Sequence, residues 1–336
     1  MMRPWFYDSF TCIADRCSDN CCIGWEIDID KAAMERFGAV PGAFGERLRG
    51  AIHGGEQPVF ALSAGERCAL LREDGLCELI LNCGEDCLCD ICALHPRFFN
   101  DFGEVREAGL GLCCEEVCRL MFSRSEPLTF ILDDEDRENI AREDKSVSVL
   151  RQARSVMTGI LQDRTRPLTE RLDRCAEYAW QVQECLENGG DMPEVPKEWE
   201  SVTDSRSISR LLDTLSDMES INGEWTEKID VLVQRQGELL AALSGYLGAC
   251  GEEWRYEHIA VYTLFRHFTD SLTDGAVYGR TMLAVCSALT VMLMDCLVRL
   301  DKGSIGEWDR ILDLKLYSKQ VEYSQENIDA FIAEYF

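Results

Sequence analysis

Basic charge is scarce in this 336-residue chain: 34 lysines and arginines stand against 61 aspartates and glutamates, a net charge of −27. Such a field repels a nucleic-acid backbone and attracts a cationic partner, for instance a lysine-bearing protein. Long apolar runs are missing too. The richest, Met282 to Met294, is followed at once by Asp295 and Arg299. It falls short of the roughly 20 residues of a bilayer span and reads as a buried core helix. The opening MMRPWFYDSF lacks the unbroken apolar stretch of a secretory leader. The expected location is therefore a reducing cytoplasm, where cysteines stay thiols or bind metal rather than pair. No internal repeat and no low-complexity tract is found. A glycine-rich nucleotide loop between strand and helix is also absent. Gly245, Gly248 and Gly251 sit in helical sequence and in the wrong order, which argues against an ordinary Rossmann-type enzyme.

What the chain has in plenty is cysteine. Thirteen of its 18 fall in the first 118 residues, in tight groups. The first is Cys12, Cys17, Cys21 and Cys22; the second is Cys68, Cys77, Cys83, Cys87, Cys89 and Cys92; the third is Cys113, Cys114 and Cys118. Dense disulfides serve short secreted chains that cannot build a core, whereas this chain is long enough to bury one or two. Vicinal pairs and the Cys89-x-x-Cys92 spacing instead place several sulfurs around one small centre. Thiolates are soft ligands that select zinc or iron–sulfur clusters, and the spacing does not choose between them. The Cys-x3-Cys-x2-Cys loop of the commonest radical enzymes is absent, since Cys22 follows Cys21 directly and Cys89 follows Cys87 too soon. Cys175, Cys185, Cys250, Cys286 and Cys296 stand alone in helical patterns and read as small core residues.

The organisation expected is mainly α: a small cysteine-rich metal or iron–sulfur N-terminal domain, residues 1–125, packed on an all-helical C-terminal domain, residues 126–336. Asp30 can cap a helix over Lys31 to Phe37, and a second helix can cover Phe44 to Ile52. Val59 to Leu62 and Cys68 to Leu71 are short strands or extended metal loops. From Asp133 an acidic start, favourable at the positive end of a helix dipole, opens a long helix to about Leu161. Pro167 opens another, closed by Gly189-Gly190. A polar linker occupies about 190–207, and further helices fill Ile208 to Gly248, Glu253 to Leu272, Ala276 to Leu300 and Gln325 to Tyr335.

The residues also carry a family resemblance. Tyr7-Asp8-Ser9-Phe10-Thr11-Cys12, then Cys17, Cys21-Cys22-Ile23-Gly24-Trp25 and Ile29-Asp30-Lys31 resemble the opening of flagellin lysine-N-methylases, the FliB-type proteins. So do Cys68-x2-Leu71, Asp74-Gly75-Leu76-Cys77, Leu88-Cys89-Asp90-Ile91-Cys92 leading to His95-Pro96-Arg97, and Glu107 to Cys114. In the helical half, Tyr256-Glu257-His258, Leu264-Phe265-Arg266, Asp274-Gly275 and Tyr317 to Asn327 continue it. The family pattern carries over onto Cys12, Cys17, Cys21, Cys22, Cys68, Cys77, Cys89, Cys92 and Cys114 as metal ligands. Cys83, Cys87, Cys113 and Cys118 are extras. Glu115 stands where the family has a proline, and His95 where it has a tyrosine. The resemblance implies methyl transfer from S-adenosylmethionine to lysine side chains of flagellin or another protein. It also implies an iron–sulfur cluster, 4Fe-4S in type, with zinc as the other metal. Neither nucleic acid nor membrane is an expected partner.

Beside that centre, Arg97 can grip a donor carboxylate in bidentate fashion or pair with a nearby acid. Trp25 can stack on adenine, face a sulfonium, or simply keep water off a metal. Tyr7 and Asp8 are the candidates to orient or deprotonate the lysine, with Asp8 alternatively a cap. His95 stands beside the metal rather than on it; His258 and His267 read as packing or surface residues. The competing function is a non-catalytic zinc- or iron-binding module whose helical domain docks a protein partner.

Overall fold

Local signals set the N-terminal elements. A computed structural model describes residues 1–335 apart from 19 and 222, with only the backbone of 249 and 250. Strand β1 (Met2–Pro4) comes first. Asp30 caps helix α1 (Lys31–Ala39) as expected, its carboxylate accepting from the Ala33 amide at 2.8 Å. Helix α2 (Gly42–Gly50) starts at Gly42 rather than Phe44. Of the segments left open between strand and loop, the first supplies Val59, Phe60 and Leu62 to strands, whereas the second has only Cys68 in a strand and turns at once after it. β2 (Ile52–His53) pairs with β3 (Val59–Phe60), and β4 (Leu62–Ser63) with β5 (Arg67–Cys68). Two short helices follow, α3 (Glu78–Cys83) and α4 (Asp90–Leu94). β6 (Arg97–Phe102) and β7 (Val105–Leu110) then form an antiparallel hairpin before α5 (Glu115–Met121) and β8 (Phe130–Leu132).

Strand β1 closes a four-stranded sheet in the order β6-β7-β1-β8, parallel to β7 and antiparallel to β8. The segment after residue 125 thus contributes a strand, so it is not all-helical as expected. Three residues of β8 pair with three of β1, which leaves no room for a hydrophobic period that sequence reading could detect.

The remainder is helical: α6 (Asp134–Ile140), α7 (Lys145–Leu161), α8 (Leu168–Asn188), α9 (Ser205–Asp217), α10 (Gly223–Gln234), α11 (Gln236–Cys250), α12 (Glu253–His267), α13 (Ser271–Asp274), α14 (Val277–Lys302), α15 (Glu307–Tyr317) and α16 (Gln325–Glu334). Two of these correct the sequence reading. The single helix expected from Asp133 to Leu161 is broken before Lys145, where Asp144 takes an extended conformation. The break lets Glu143 turn back to accept from Arg151 at 2.8 Å. Helix α15 was not expected at all, because buried Arg310, Asp313 and Lys315 interrupt its apolar face.

Helix α14 is long and apolar enough to cross a membrane by length and composition. However, 94% of its apolar window is buried inside the protein, where it packs against α8, α12, α15 and α16. It is the core helix the sequence led one to expect. Cys175, Cys286 and Cys296 are buried in the same core. Cys185 is not; it is half-buried and its thiol donates to the Asp191 carbonyl at 3.2 Å. The side chain of Cys250 lies outside the described residues.

Buried apolar residues fall into two clusters. The larger joins the helices to Phe6, Phe102, Leu110, Val117 and Leu128, so β1, the β6–β7 hairpin and α5 pack with the helical body. The smaller contains Ile27, Ile29, Phe37, Leu48, Phe60, Leu70 and Leu79 together with Cys68 and Cys89. Cys22, Cys77, Cys83, Cys87 and Cys92 pack around it, so sulfur forms much of this second core. At the junction, the Tyr262 hydroxyl of α12 accepts from the Leu110 amide at 2.7 Å and donates to the Leu110 carbonyl at 2.8 Å. One buried hydroxyl thereby satisfies both backbone groups at the end of β7 and fixes where the chain leaves the sheet.

Candidate functional site

The cysteines are gathered by backbone pairing. The Cys68 amide donates to the Cys22 carbonyl at 2.8 Å, and Ile23 bridges Arg67, so the strand containing Cys68 lies beside the Cys21-Cys22 turn. Asn20 shapes that turn: its side-chain oxygen accepts from the Cys22 amide at 2.9 Å. Leu71 bridges Cys77 in turn. Asp30, having capped α1 with one oxygen, accepts from the Asp90 amide at 2.8 Å with the other. That second cap sets the start of α4 and with it the Cys89-Cys92 pair.

The thiols influence one another in two sets. Cys22 is hydrogen-bonded to Cys21 and lies in the field of Cys68 and Cys92; these neighbours and burial push its thiol far up. Cys92 is likewise bonded to Cys89 and close to Cys68 and Cys77. Its partner Cys89 is lowered to about 7, chiefly by that bond. The second set is Cys114, which burial pushes up to about 11 in the company of Cys12 and Cys21. Cys21 therefore belongs to both sets. Cys17 is half-buried in the same N-terminal stretch. The extras find other partners: Cys87 pairs with Cys83, Cys113 with the Tyr323 hydroxyl, and the Cys118 thiol donates to the Leu112 carbonyl at 3.0 Å. No disulfide joins two cysteines among the described residues. Among the described residues, no three His, Cys, Asp or Glu side chains converge as metal ligands would.

Against the thiols lies a segment from the far end of the chain. Between α15 and α16 runs one turn of π-helix, Ser318–Glu322, a form that recurs at functional sites. It brings Tyr323 onto Trp25, with ring centroids 5.9 Å apart and planes 23° from parallel. The Lys319 ammonium stands 5.2 Å from the centre of the same indole. His95 completes the patch at 6.1 Å from Trp25; burial lowers it to about 4, so its ring is neutral. The Trp25 indole N–H donates to the Cys21 carbonyl at 2.7 Å, which ties the patch to the cysteine turn. Behind Tyr323, Arg266 lies over its ring at 4.8 Å and pairs with buried Glu322 at 3.0 Å. Glu115, at the position where a proline was expected, accepts from the Ser18 amide at 2.9 Å and lies 3.8 Å from Lys315. It anchors the first cysteine loop to α5 and α15.

The other candidates are placed as follows. Arg97 opens β6 with its guanidinium 5.4 Å from the centre of the Phe10 ring, and it forms no ion pair among the described residues. Asp8 accepts from Arg3 at 3.0 Å; Arg3 also holds Asp133 at 2.7 Å. Tyr7 is half-buried against the large core. No hydrogen bond, ion pair or ring contact joins Tyr7 or Asp8 to Trp25 or Arg97 among the described residues. His258 and His267 are buried, bonded to the Glu126 carbonyl at 2.8 Å and to Glu322 at 3.0 Å. They are packing residues. Sequence reading noted Tyr317 to Asn327 and Arg266 only as part of a resemblance and gave Lys319, Glu322 and Tyr323 no role. Their signal was charge and hydroxyl groups in a segment otherwise patterned for burial.

Two expected results follow from this geometry. Gly111 faces Tyr323 so closely that a Cβ would fall inside the Tyr323 hydroxyl. Gly111→Ala should therefore destabilise the protein by about 1–3 kcal/mol, the usual cost of overpacking, and disturb the Trp25–Tyr323 stack. Adding Tyr323→Phe should recover part of the loss in a urea melt; no recovery would refute the contact as the cause.

The second result concerns pH. Burial lowers His258 and His267, so the folded state resists protons that the unfolded chain takes up near pH 6.5. Their contribution is present above that pH and is lost as pH falls through the lowered folded values. Asp295, raised to about 7 by burial and by Asp313, works the other way: its contribution is present below the ordinary carboxylate range and lost as pH rises through 7. A variant comparison isolates the histidine. His267→Gln can still donate to Glu322 but cannot titrate, so its melting temperature should fall less between pH 7 and pH 5 than that of the parent. An identical slope would exclude His267 as a source.

The cysteine-rich N-terminal lobe thus meets an aromatic patch carried by the end of a mainly helical body. Residues 154–336 match the FliB lysine N-methylase C-terminal domain, more than half of the chain. The chain belongs to the FliB lysine N-methylase family. It is 32% identical over 125 residues to the flagellar biosynthetic protein FliU of Salmonella muenchen, covering 34% of this chain and 72% of that one. It is 31% identical over 125 residues to lysine-N-methylases of Salmonella typhimurium and Salmonella choleraesuis, covering 34% of this chain and 30% of each of those. The match thus spans about a third of the length of those methylases. No solved structure matches the chain.

Proposed function

We propose that the chain is a cytoplasmic protein-lysine N-methyltransferase that takes its methyl group from S-adenosylmethionine and acts on flagellin. The observation that carries this reading is the Lys319 ammonium lying over Trp25, beside the cysteine turn. The patch already accommodates a lysine head group against an aromatic face. Trp25, Tyr323 and neutral His95 offer a wall that keeps water from an amine and a methyl donor, as the transfer requires. Arg97, without an acidic partner among the described residues, is available to a donor carboxylate. Tyr7 and Asp8 remain the groups proposed to orient the substrate amine. The net charge of −27 would draw a cationic substrate in.

The donors are of the kind that a thiolate-held metal takes, although no three of them converge among the described residues. Cys22, Cys68, Cys89 and Cys92 are soft sulfur donors around one apolar core, with Cys77 beside them and Cys12, Cys17, Cys21 and Cys114 adjacent. These residues would hold an iron–sulfur cluster, which would supply a Lewis-acid anchor for the donor. The test is anaerobic: reconstitute the protein with iron and sulfide, incubate it with S-adenosylmethionine and flagellin, and map methyl-lysines by mass spectrometry. Absence of donor-dependent methylation from metal-replete protein sinks the proposal. A second reading, a structural zinc module whose helices dock a partner, draws on the burial of Cys68 and Cys89 inside their own small core. Colourless protein that carries zinc alone and transfers no methyl group would favour it.

A further inference from the structure

Away from the cysteines, α8, α9, α14 and α16 surround a cavity of about 660 Å³, within the range of small-molecule sites. Its walls are unusual for a helical body. Trp180 stands at the mouth, 46% exposed, and meets Tyr278 edge-on with ring centroids 5.3 Å apart and planes at 80°. Tyr335 forms a third aromatic side. Three carboxylates share the lining, Glu177, Glu200 and Glu334. Glu177 accepts from Gln181 at 2.7 Å, and Glu334 is paired with Arg210 at 2.6 Å. Glu200 has no ion-pair partner among the described residues, and like Glu177 it lies close enough to act on the Tyr278 hydroxyl.

One cation already uses this wall. The Arg210 guanidinium lies 5.0 Å from the centre of the Tyr335 ring, held there by Glu334. With Arg210 the only basic group in the lining, the cavity keeps an excess of negative charge. What remains is the exposed Trp180 ring, perpendicular to Tyr278, and the Glu200 carboxylate, which has no ion-pair partner among the described residues. Perpendicular rings with carboxylates nearby form a site for a weakly hydrated cation, because ring quadrupole and charge act together while methyl groups fill the apolar corner.

We infer that this cavity binds a methylated onium group through Trp180, Tyr278 and Glu200. The cavity is argued from its own walls; the choice of sources rests on the lysine-methylating reading above. Those sources are the ammonium of an already methylated lysine side chain and the sulfonium of the methyl donor. The former would keep the protein on a substrate with many lysines after each transfer.

Calorimetric titration of the intact protein tests it with two matched pairs of probes. One pair is Nα-acetyl-Nε-trimethyl-lysine amide against Nα-acetyl-norleucine amide. The other is S-adenosylmethionine against S-adenosylhomocysteine, which lacks the methyl group and with it the sulfonium charge. The cation of one pair should bind at least about tenfold more tightly than its uncharged partner. Trp180→Ala should abolish that preference and Glu200→Gln weaken it; both side chains are exposed, and a melt checks that each variant is folded. The pair that shows the preference names the source. If Trp180→Ala abolishes no preference in either pair, the inference is overturned; a donor preference that survives it belongs to the Trp25 and Arg97 site. The titration needs no methyl transfer, so failure of the enzymatic reading would appear separately, as flagellin left unmethylated.

Discussion

Replacing Cys92 with alanine is expected to yield protein that retains no metal and methylates no lysine. Cys92 lies at the crossing of its set, bonded to Cys89 and within the field of Cys68 and Cys77. Loss even of a group that merely supports a ligand lowers metal affinity by about 10–100-fold, so loss of a thiolate should exceed that. Two controls separate this from general damage. Cys87→Ala removes a thiol whose thiol partner is Cys83, outside both sets, and should keep its metal. Cys175→Ala removes a thiol buried in the large core and should lower stability slightly without touching the centre. Iron and zinc analysis, with methyl-lysine mapping, reads all three. Full metal content in Cys92→Ala would show that Cys92 is no ligand. A metal-free Cys92→Ala that still methylates would reduce the metal to a structural part.

These outcomes turn on what a linear sequence can and cannot display. The cysteine groups were legible because thiols within a few residues of each other announce themselves by spacing. The Asp30 cap was legible for the same reason: its first partner, Ala33, is three residues away. Its second partner, Asp90, is 60 residues away and left no trace. The same contrast governs the site. Trp25 was an obvious candidate beside Cys22, yet the ring that stacks on it belongs to Tyr323. Helix α15, which delivers that ring, hides its period behind buried Arg310, Asp313 and Lys315, each with a partner elsewhere in the chain. Buried charge, which pattern reading takes for surface, is here what joins the elements.

Glu107→Ala should make that point with the largest loss of stability. Glu107 of β7 is fully buried and takes two hydrogen bonds from Arg154 of α7, one of them at 2.7 Å. Arg151 approaches to 3.6 Å and the Thr269 hydroxyl donates at 3.4 Å. Alanine would leave the Arg154 charge in the interior with the Phe265 carbonyl at 3.4 Å and the faces of Phe102 and Phe265 but no carboxylate, a change that costs about 3–5 kcal/mol when one partner of a buried pair is removed. Glu107→Leu combined with Arg154→Met removes both charges and should recover most of that loss, because the desolvation penalty goes with them. Urea unfolding gives both numbers. The damage should also reach the site, since β7 runs through Leu110 to Gly111 and the Tyr323 contact, a path that the Trp25 indole N–H resonance, assigned with Trp25→Phe, can follow. If Glu107→Ala stays within about 1 kcal/mol of the parent, the pair does not hold the sheet to the helices. If stability falls while the Trp25 indole resonance does not move, the hairpin carries load without positioning the patch, and Gly111 alone would set the Tyr323 contact.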